Sequence, residues 1–279
     1  MFLMSRRQNS ENLVSSVYTS TPIRVDGLVK NYGDKPAVKG LTFEVKSGEV
    51  YGLLGPNGAG KTTTLKIVTG LLDPTEGSVS VFGLSPVEDA IKVKSMLGYV
   101  PETVQLYDSL SVREFLQFVA SIRRMDPQTA NSRAKELIKA FGVESYFDTP
   151  AMALSAGTKQ KIAVISALIH NPPLLILDEP MSGLDVRSSR ILKDHLTYHT
   201  KRGGAILFST HIMEVAEHIC TRVGIINQGT LVAEGTVTEL RDLIHEAGAS
   251  LEEIFLHVTA EEEGVADTIR VLEEAFRKP

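Results

Sequence analysis

Apolar residues in this chain come in short dense runs separated by glycine-rich or charged stretches, the pattern of a sheet whose central strands are covered on both faces. Val50 to Leu54, Leu174 to Leu177, Ala205 to Phe208 and Val223 to Ile226 carry no charge and predict parallel core strands. Ile23 to Leu28, Leu41 to Val45 and Val79 to Phe82 predict three further strands. A helix is predicted from Thr62 to Leu71, directly after the first core strand. Between about residues 103 and 153 the pattern turns helical. Ser111 followed by Glu114 has the spacing of a capping box before Phe115 to Val119. Asp126-Pro127 opens a second helix that runs through Phe141 to a stop at Gly142.

This order predicts an α/β chain with one main unit over residues 22–240 and a helical lobe at about 103–153 inserted in it. No long internal repeat is visible, so a second copy of the unit within the chain is not expected. Residues 1–21 are mostly polar and read as a flexible leader, because Met1 to Met4 is too brief for a signal-peptide apolar core. Residues 241–279 read as a helical and acidic extension after a helix beginning near Thr236. There Ile254, Phe255 and Val258 can cover an apolar surface, while Glu261 to Glu263 are expected to be solvated.

At 279 residues the chain can bury one substantial core with a smaller lobe. Its formal charge of -5 argues against a dedicated nucleic-acid surface. No stretch approaches the roughly 20 apolar residues needed to cross a membrane. Cys220 is the only cysteine, which excludes an intrachain disulfide and a multi-cysteine zinc site. His195, His199 and His218 sit in helical patterns without metal-ligand spacing.

The chemistry concentrates in three segments. Gly55-Pro56-Asn57-Gly58-Ala59-Gly60-Lys61-Thr62 lies between a strand and a helix, with the G-x-x-x-x-G-K-[ST] spacing whose backbone N–H groups wrap a phosphate chain. Lys61 brings positive charge to the β and γ phosphates, the Thr62 hydroxyl is a Mg²⁺ ligand, and Thr63 supports them. Leu174 to Leu177 ends in Asp178-Glu179, at the end of a parallel strand where open α/β sheets place ligands. Asp178 is the candidate for Mg²⁺, and Glu179 for orienting or deprotonating an attacking water. Neighbouring residues on a regular strand face opposite ways, so both roles require the chain to turn there. Ser155 precedes a helical run and forms, with the nearby amides, a second anion-binding surface.

The ordered set resembles the nucleotide-binding subunit of an ATP-binding cassette transporter over roughly residues 22–240. Gly55 to Thr62 match its Walker A loop, and Leu174 to Glu179 match Walker B with the catalytic glutamate. Leu154-Ser155-Ala156-Gly157-Thr158 occupies the signature position, normally Leu-Ser-Gly-Gly-Gln. Ser182 to Asp185 matches the D-loop, His211 the switch histidine, and Tyr32 the aromatic that stacks on adenine. Glu102 stands at the Q-loop position, with Gln105 as the alternative alignment. The resemblance implies a P-loop ATPase core with an antiparallel β subdomain and an inserted α-helical subdomain. It also implies ATP and Mg²⁺, and a head-to-tail dimer with an identical or homologous subunit. In that dimer Ser155, Ala156 and Gly157 would cover the partner's ATP, and Asp185 would couple the two subunits. Lys61, Glu179 and His211 would be catalytic. Separate transmembrane permease subunits would hold the chain at the cytoplasmic side of the membrane and dock on the helical lobe, with Leu106, Tyr107, Leu110 and Phe115 as contact candidates. The segment Leu251 to Leu256 is similar to tails of ATPases paired with exporter permeases. Ala156 and Thr158 depart from the signature, which leaves two readings open: a transport ATPase, or an ATP-controlled module with little or no hydrolysis.

Overall fold

The computed structural model describes residues 20–244 and 248–259. The expected leader falls almost wholly outside the described residues, as do Glu261 to Glu263. Among the described residues two sheets form. The larger has the strand order β5-β6-β7-β3-β8-β9 and the smaller the order β2-β1-β4. In the larger sheet β3 (Val50–Leu54), β5 (Leu97–Val100), β6 (Leu174–Asp178), β7 (Ala205–Thr210) and β8 (Arg222–Asn227) run parallel, and β9 (Thr230–Gly235) closes the edge antiparallel to β8. The smaller sheet is an antiparallel set of β1 (Ile23–Tyr32), β2 (Lys35–Val45) and β4 (Glu76–Val81).

Every residue of β3, β6 and β7 is buried, as runs flanked by helices require, and in β6 this includes the terminal carboxylate of Asp178. Pleating divides β6 between two cores. Leu175 and Leu177 pack with the helical lobe, while Leu174 and Ile176 pack with α1 (Lys61–Val68) and the small sheet. α1 ends three residues earlier than the apolar pattern predicts, because Thr69 caps it and Gly70 turns left-handed behind it. β5 went unrecognised in the sequence pattern, since only four residues separate α2 (Ala90–Met96) from Pro101. β2 reaches back to Lys35, well before its apolar half, because hairpin pairing with β1 orders its polar end as well.

The lobe consists mainly of α3 (Val112–Ile122) and α4 (Pro127–Ala140), packed on α5 (Ala156–Leu168). α3 begins with the expected capping box, in which the Ser111 hydroxyl accepts from Glu114 N and the Glu114 carboxylate accepts from Ser111 N at 2.8 Å. Phe115 is buried in the lobe core, and Leu106 and Leu110 pack against it. Tyr107 is exposed but stacks edge-on against Phe118. Three of the four docking candidates thus serve the lobe's own packing. The exposed apolar groove lies beside them, about 670 Å³ between α1, α2 and α3, lined by Leu71, Ile91, Leu97, Tyr99, Val119 and Ile122 with Lys94, Arg123 and Arg124. The remaining helices are α6 (Val186–Lys201), α7 (Met213–Ile219), α8 (Val237–Leu243) and α9 (Leu251–Thr259). α9 buries Leu251, Ile254 and Phe255 in a third cluster with Leu240, Val223 and Ile225, which fulfils the covering role expected of that segment. Among the described residues no helix is long and apolar enough to cross a membrane.

Two histidines carry a pH consequence. His170 donates from Nε2 to the Leu97 carbonyl at 3.2 Å and leaves Nδ1 without a partner, while the buried His199 leaves Nε2 without one. Burial, with Arg123 near His170 and His195 near His199, lowers both from 6.5 to about 4. Between pH 6.5 and 4 the unfolded chain therefore binds more protons than the folded one. Stability present at neutrality is lost as pH falls through that window, by at most about 3 kcal/mol per imidazole. Urea midpoints should drop steadily from pH 7 to 4.5, and histidine NMR should show both rings still neutral at pH 5. Flat midpoints or protonated rings would contradict the burial argument.

Candidate functional site

The site forms where three parallel strands end level with one another. Leu54 of β3 pairs with Thr210 of β7, and Ser209 of β7 pairs with Asp178 of β6. This register brings the glycine-rich loop after β3, the acidic pair at the end of β6 and His211 after β7 to one edge of the sheet. A cavity of about 290 Å³ opens there, lined by Ala37, Asn57, Gly58, Gly60, Lys61, Thr62, Thr63, Glu102 and Glu179.

The loop is held from below. Gly60 has φ +108 and stands so close to β2 that a Cβ would lie 2.6 Å from the Ala37 carbonyl oxygen, so only glycine fits. Ala59 is tied to the β8–β9 turn through Gly229 N at 3.0 Å. Lys61 is nearly buried and its ammonium donates to the carbonyls of Gly55 at 2.7 Å and Pro56 at 3.1 Å, curled over the loop it serves. Burial lowers its pKa, an effect opposed by the carboxylates of Glu179, Asp178 and Glu102. α1 begins at Lys61, so its first amides face the same cavity.

The turn that the acidic pair demands is present in the backbone. Asp178 keeps strand geometry, whereas Glu179 has φ +49, in the left-handed region that a non-glycine residue enters only under tertiary constraint. The constraint is visible. Glu179 N donates to the Ser209 carbonyl at 3.1 Å, and Thr210 Oγ1 donates to Glu179 Oε2 at 2.9 Å. His211 donates from its backbone N to Oε1 at 2.7 Å, and its Nδ1 lies at 2.7 Å from the same oxygen. The nearly buried Glu179 carboxylate is thereby clamped by β7 on one side and faces the cavity on the other.

Asp178 is fully buried, and one of its oxygens accepts a short hydrogen bond from Ser209 Oγ. Its other oxygen, Oδ2, has no protein partner. Burial raises its pKa, against the lowering by Ser209 and the nearby Thr62 hydroxyl. Thr62 Oγ1 itself donates to Glu102 Oε2 at 3.2 Å. Three oxygen donors from three separate elements thus converge: a hydroxyl, a buried carboxylate with an orphaned oxygen, and a more exposed carboxylate. Among the described residues no cluster of three or more His, Cys, Asp or Glu could cage a metal ion. A sparse oxygen set of this kind suits Mg²⁺, which keeps several waters and fills its shell with substrate phosphates. Of the two Q-loop candidates, Glu102 lines the cavity and Gln105 does not.

Ser155, Ala156 and Gly157 lie outside that cavity's lining. Ser155 caps α5 by accepting from Thr158 N at 3.2 Å, and its hydroxyl pairs with Thr158 Oγ1 at 2.9 Å. Thr158 is buried beneath Ser155 and holds it, while Ser155 and the Ala156 methyl are exposed. Gly157 meets Gly183, where a Cβ would lie 2.6 Å from the Gly183 carbonyl oxygen. Two further contacts, not anticipated from sequence, fasten the start of α5 to the segment after Glu179. Buried Gln160 donates to the Pro180 carbonyl at 3.0 Å, and Lys161 bridges to Asp185 at 2.5 Å. Asp185 also caps α6 by accepting from Ser188 N at 2.8 Å. Lys161 and this cap hold its carboxyl far below the usual carboxylate range. Gln160 stands just before the apolar run from Ile162, three and four residues from Ala163 and Val164, and this spacing was the available signal; its partner, a backbone carbonyl, leaves no mark in sequence. Tyr32, at the end of β1, is half-exposed with Lys30 Nζ 5.6 Å from its ring centre, and it does not line the cavity.

Known proteins are similar to this chain in sequence and in fold. The family described as ABC transporter matches residues 38–182. The probable multidrug ABC transporter ATP-binding protein YbhF of Escherichia coli strain K12 is 37% identical over 221 residues, covering 79% of this chain and 38% of that protein. This chain therefore spans well under half of that relative. The Nod factor export ATP-binding protein I of Burkholderia orbicola is 38% identical over 234 residues, 84% of this chain and 76% of that protein. Among solved structures, an ATP-binding subunit of an ABC transporter superposes with TM-score 0.82 at 33% identity, covering 86% of this chain and all of the other (100%). The dimeric structure of MJ0796, a bacterial ABC transporter cassette, gives TM-score 0.69 at 25% identity over 77% of this chain and 98% of its own.

The contact between Gly157 and Gly183 separates two neighbouring positions. Gly157→Ala should lower stability by about 1–3 kcal/mol, since the added methyl strikes backbone rather than a flexible side chain. Ala156→Gly removes only an exposed methyl and should cost less than about 1 kcal/mol. Chemical denaturation of both variants checks this, and equal losses would refute the packing account.

Proposed function

The chain belongs to the ABC transporter family as an ATP-binding subunit, and from that premise we propose that it hydrolyses ATP in a head-to-tail dimer to drive export through separate transmembrane permease subunits. The observation that carries the proposal is the clamped Glu179 carboxylate, which shares one cavity with Lys61, Thr62 and Glu102.

ATP enters as substrate, its β and γ phosphates against the loop amides and Lys61, which leaves the Gly55 and Pro56 carbonyls to meet them. Thr62, Asp178 and Glu102 would hold Mg²⁺, which supplies positive charge to the phosphate oxygens. Glu179 orients the attacking water and takes its proton on a carboxylate oxygen. Thr210 and the His211 amide keep that carboxylate from turning away. His211 Nδ1–H donates to Glu179, and a second proton on Nε2 would let the same ring donate to the γ phosphate, so one imidazolium would link the base to the group transferred. Lys61 stabilises the charge that develops on the phosphoryl oxygens.

Ser155 and its neighbouring amides would form an exposed anion surface, and they do not line the cavity of their own chain. A second subunit, identical or homologous, would bring its ATP to that surface, as likeness to a dimeric cassette supports. Asp185, fastened to α5 through Lys161, would carry the state of one subunit's Walker B end to that interface. Loss of the γ phosphate would remove the shared ligand and open the dimer. Tyr32, exposed at the end of β1, would stack on adenine. The permease would dock a short helix in the groove lined by Leu71, Ile91 and Ile122, placing the chain at the cytoplasmic face of the membrane. Export rather than import rests on the likeness to an export ATP-binding protein and on the α9 tail.

One observation favours the rival reading, an ATP-controlled module with weak hydrolysis. Thr158 turns inward to Ser155, so the long polar side chain usual at that position is missing from the interface.

Glu179→Gln should keep ATP affinity within a few fold, lower turnover by at least about a hundredfold, and accumulate a closed dimer on gel filtration with ATP. Rapid phosphate release by this variant would exclude the base role, and absence of release by the unaltered protein with its permease would favour the rival module. Mixed dimers pairing a Ser155→Arg subunit with a Lys61→Ala subunit test completion across the interface. One working site in that dimer, and none in a dimer carrying both changes in one subunit, would support completion across the interface; no working site in the first and one in the second would contradict it. The trans reading expects both lesions to fall on the Lys61→Ala subunit's own ATP, leaving the other ATP competent.

A further inference from the structure

Two buried polar atoms without a hydrogen-bond partner stand near one another, and the site as described uses only one of them. They are Asp178 Oδ2 and the Tyr99 hydroxyl. Tyr99 lies on β5 and pairs in register with Ile176 on the neighbouring parallel strand β6. Side chains in register on adjacent parallel strands share a face, and residues two apart on one strand share it too. Tyr99, Ile176 and Asp178 therefore project to the same side of the sheet, the side covered by α1, and packing of both Tyr99 and Ile176 in the α1 core agrees with this. Asp178 is the diagonal neighbour of Tyr99, one pleat nearer the cavity, within the span that a long aromatic side chain bridges.

The chemistry is complementary. Asp178 Oδ2 is an acceptor lacking a donor, and the Tyr99 hydroxyl is a donor lacking an acceptor. Neither atom reaches solvent, and the two are not bonded directly. An unpaired buried hydroxyl costs about 1–3 kcal/mol, so an apolar residue would serve better if Tyr99 only filled space. We propose that Tyr99 is a positioning residue for Asp178, its hydroxyl donating through an intervening water to Oδ2 and so fixing that oxygen's direction at the nucleotide cavity. Burial and the carboxylates of Asp178 and Glu102 raise the phenol's pKa, so it remains a donor throughout the working pH range. The same ring lines the groove with Leu71 and Ile122, which puts one side chain between the proposed docking groove and the carboxylate.

The proposal rests on the reading of Asp178 as the metal-side carboxylate, and the test separates the two. Binding of a fluorescent ATP analogue to the full chain is titrated with Mg²⁺ for the unaltered protein, Tyr99→Phe and Asp178→Asn. Phenylalanine keeps the ring and removes only the hydroxyl, so the fold should be retained and Mg²⁺-free binding should be unchanged. Half-saturating Mg²⁺ should rise about fivefold in Tyr99→Phe, the size of one lost hydrogen bond, and more in Asp178→Asn. In steady-state assays of Tyr99→Phe, kcat should fall while KM for ATP holds. A shift in Asp178→Asn alone would overturn the role of Tyr99 and leave the reading of Asp178 standing. No shift in either variant would overturn both.

Discussion

The structure depends on one constraint, the level parallel register of β3, β7 and β6. Because Leu54 is paired with Thr210 and Asp178 with Ser209, three segments far apart in the chain end at the same height. Hydrogen bonding between parallel strands, rather than any affinity between the functional side chains, gathers the loop, the acidic pair and His211. Those side chains then stabilise an arrangement that repulsion would otherwise oppose. Ser209 and Thr210, successive residues of one strand, each bind one acid, and Lys61 lies among Glu179, Asp178 and Glu102.

Strain and burial are concentrated at this edge. Glu179 holds a left-handed backbone, Asp178 is a fully buried carboxylate, and Lys61 is a nearly buried ammonium. Each is unfavourable alone, and each is satisfied in part by groups that a nucleotide would replace or complete. The carbonyls of Gly55 and Pro56 occupy the Lys61 ammonium, and Oδ2 of Asp178 has no protein donor. Such a site has stored interactions to exchange when a polyphosphate enters.

The second half of the molecule is joined to this edge by contacts of a different kind. α5 begins at the exposed Ser155 and is tied back to Pro180, Gly183 and Asp185 within two turns. The segment after Glu179 is therefore joined to the start of α5 by one side-chain hydrogen bond, one backbone contact and one ion pair, without passing through the helical lobe. The lobe is connected through β5, whose Tyr99 faces the groove and whose following loop carries Glu102.

Much of this was legible in the amino-acid order. Uncharged runs gave β3 and the cores of β6, β7 and β8 because burial on both faces demands apolar residues at every position. Ser111 with Glu114, and Asp126 with Pro127, marked helix starts because capping is local. Gly55 to Thr62 and Asp178-Glu179 announced phosphate chemistry because their function needs particular residue types at fixed spacing. Sequence did not reveal the short strand β5, the inward turn of Thr158, the pairing of Gln160 with a carbonyl, or the division of Leu106, Leu110 and Phe115 from the groove. Each of these depends on what lies opposite a residue across the fold, and distance along the chain carries no record of that. Local periodicity and motif chemistry determined which elements and which candidate groups exist; only tertiary packing decided which side chains face one another, because register and helix rotation are set by long-range contacts.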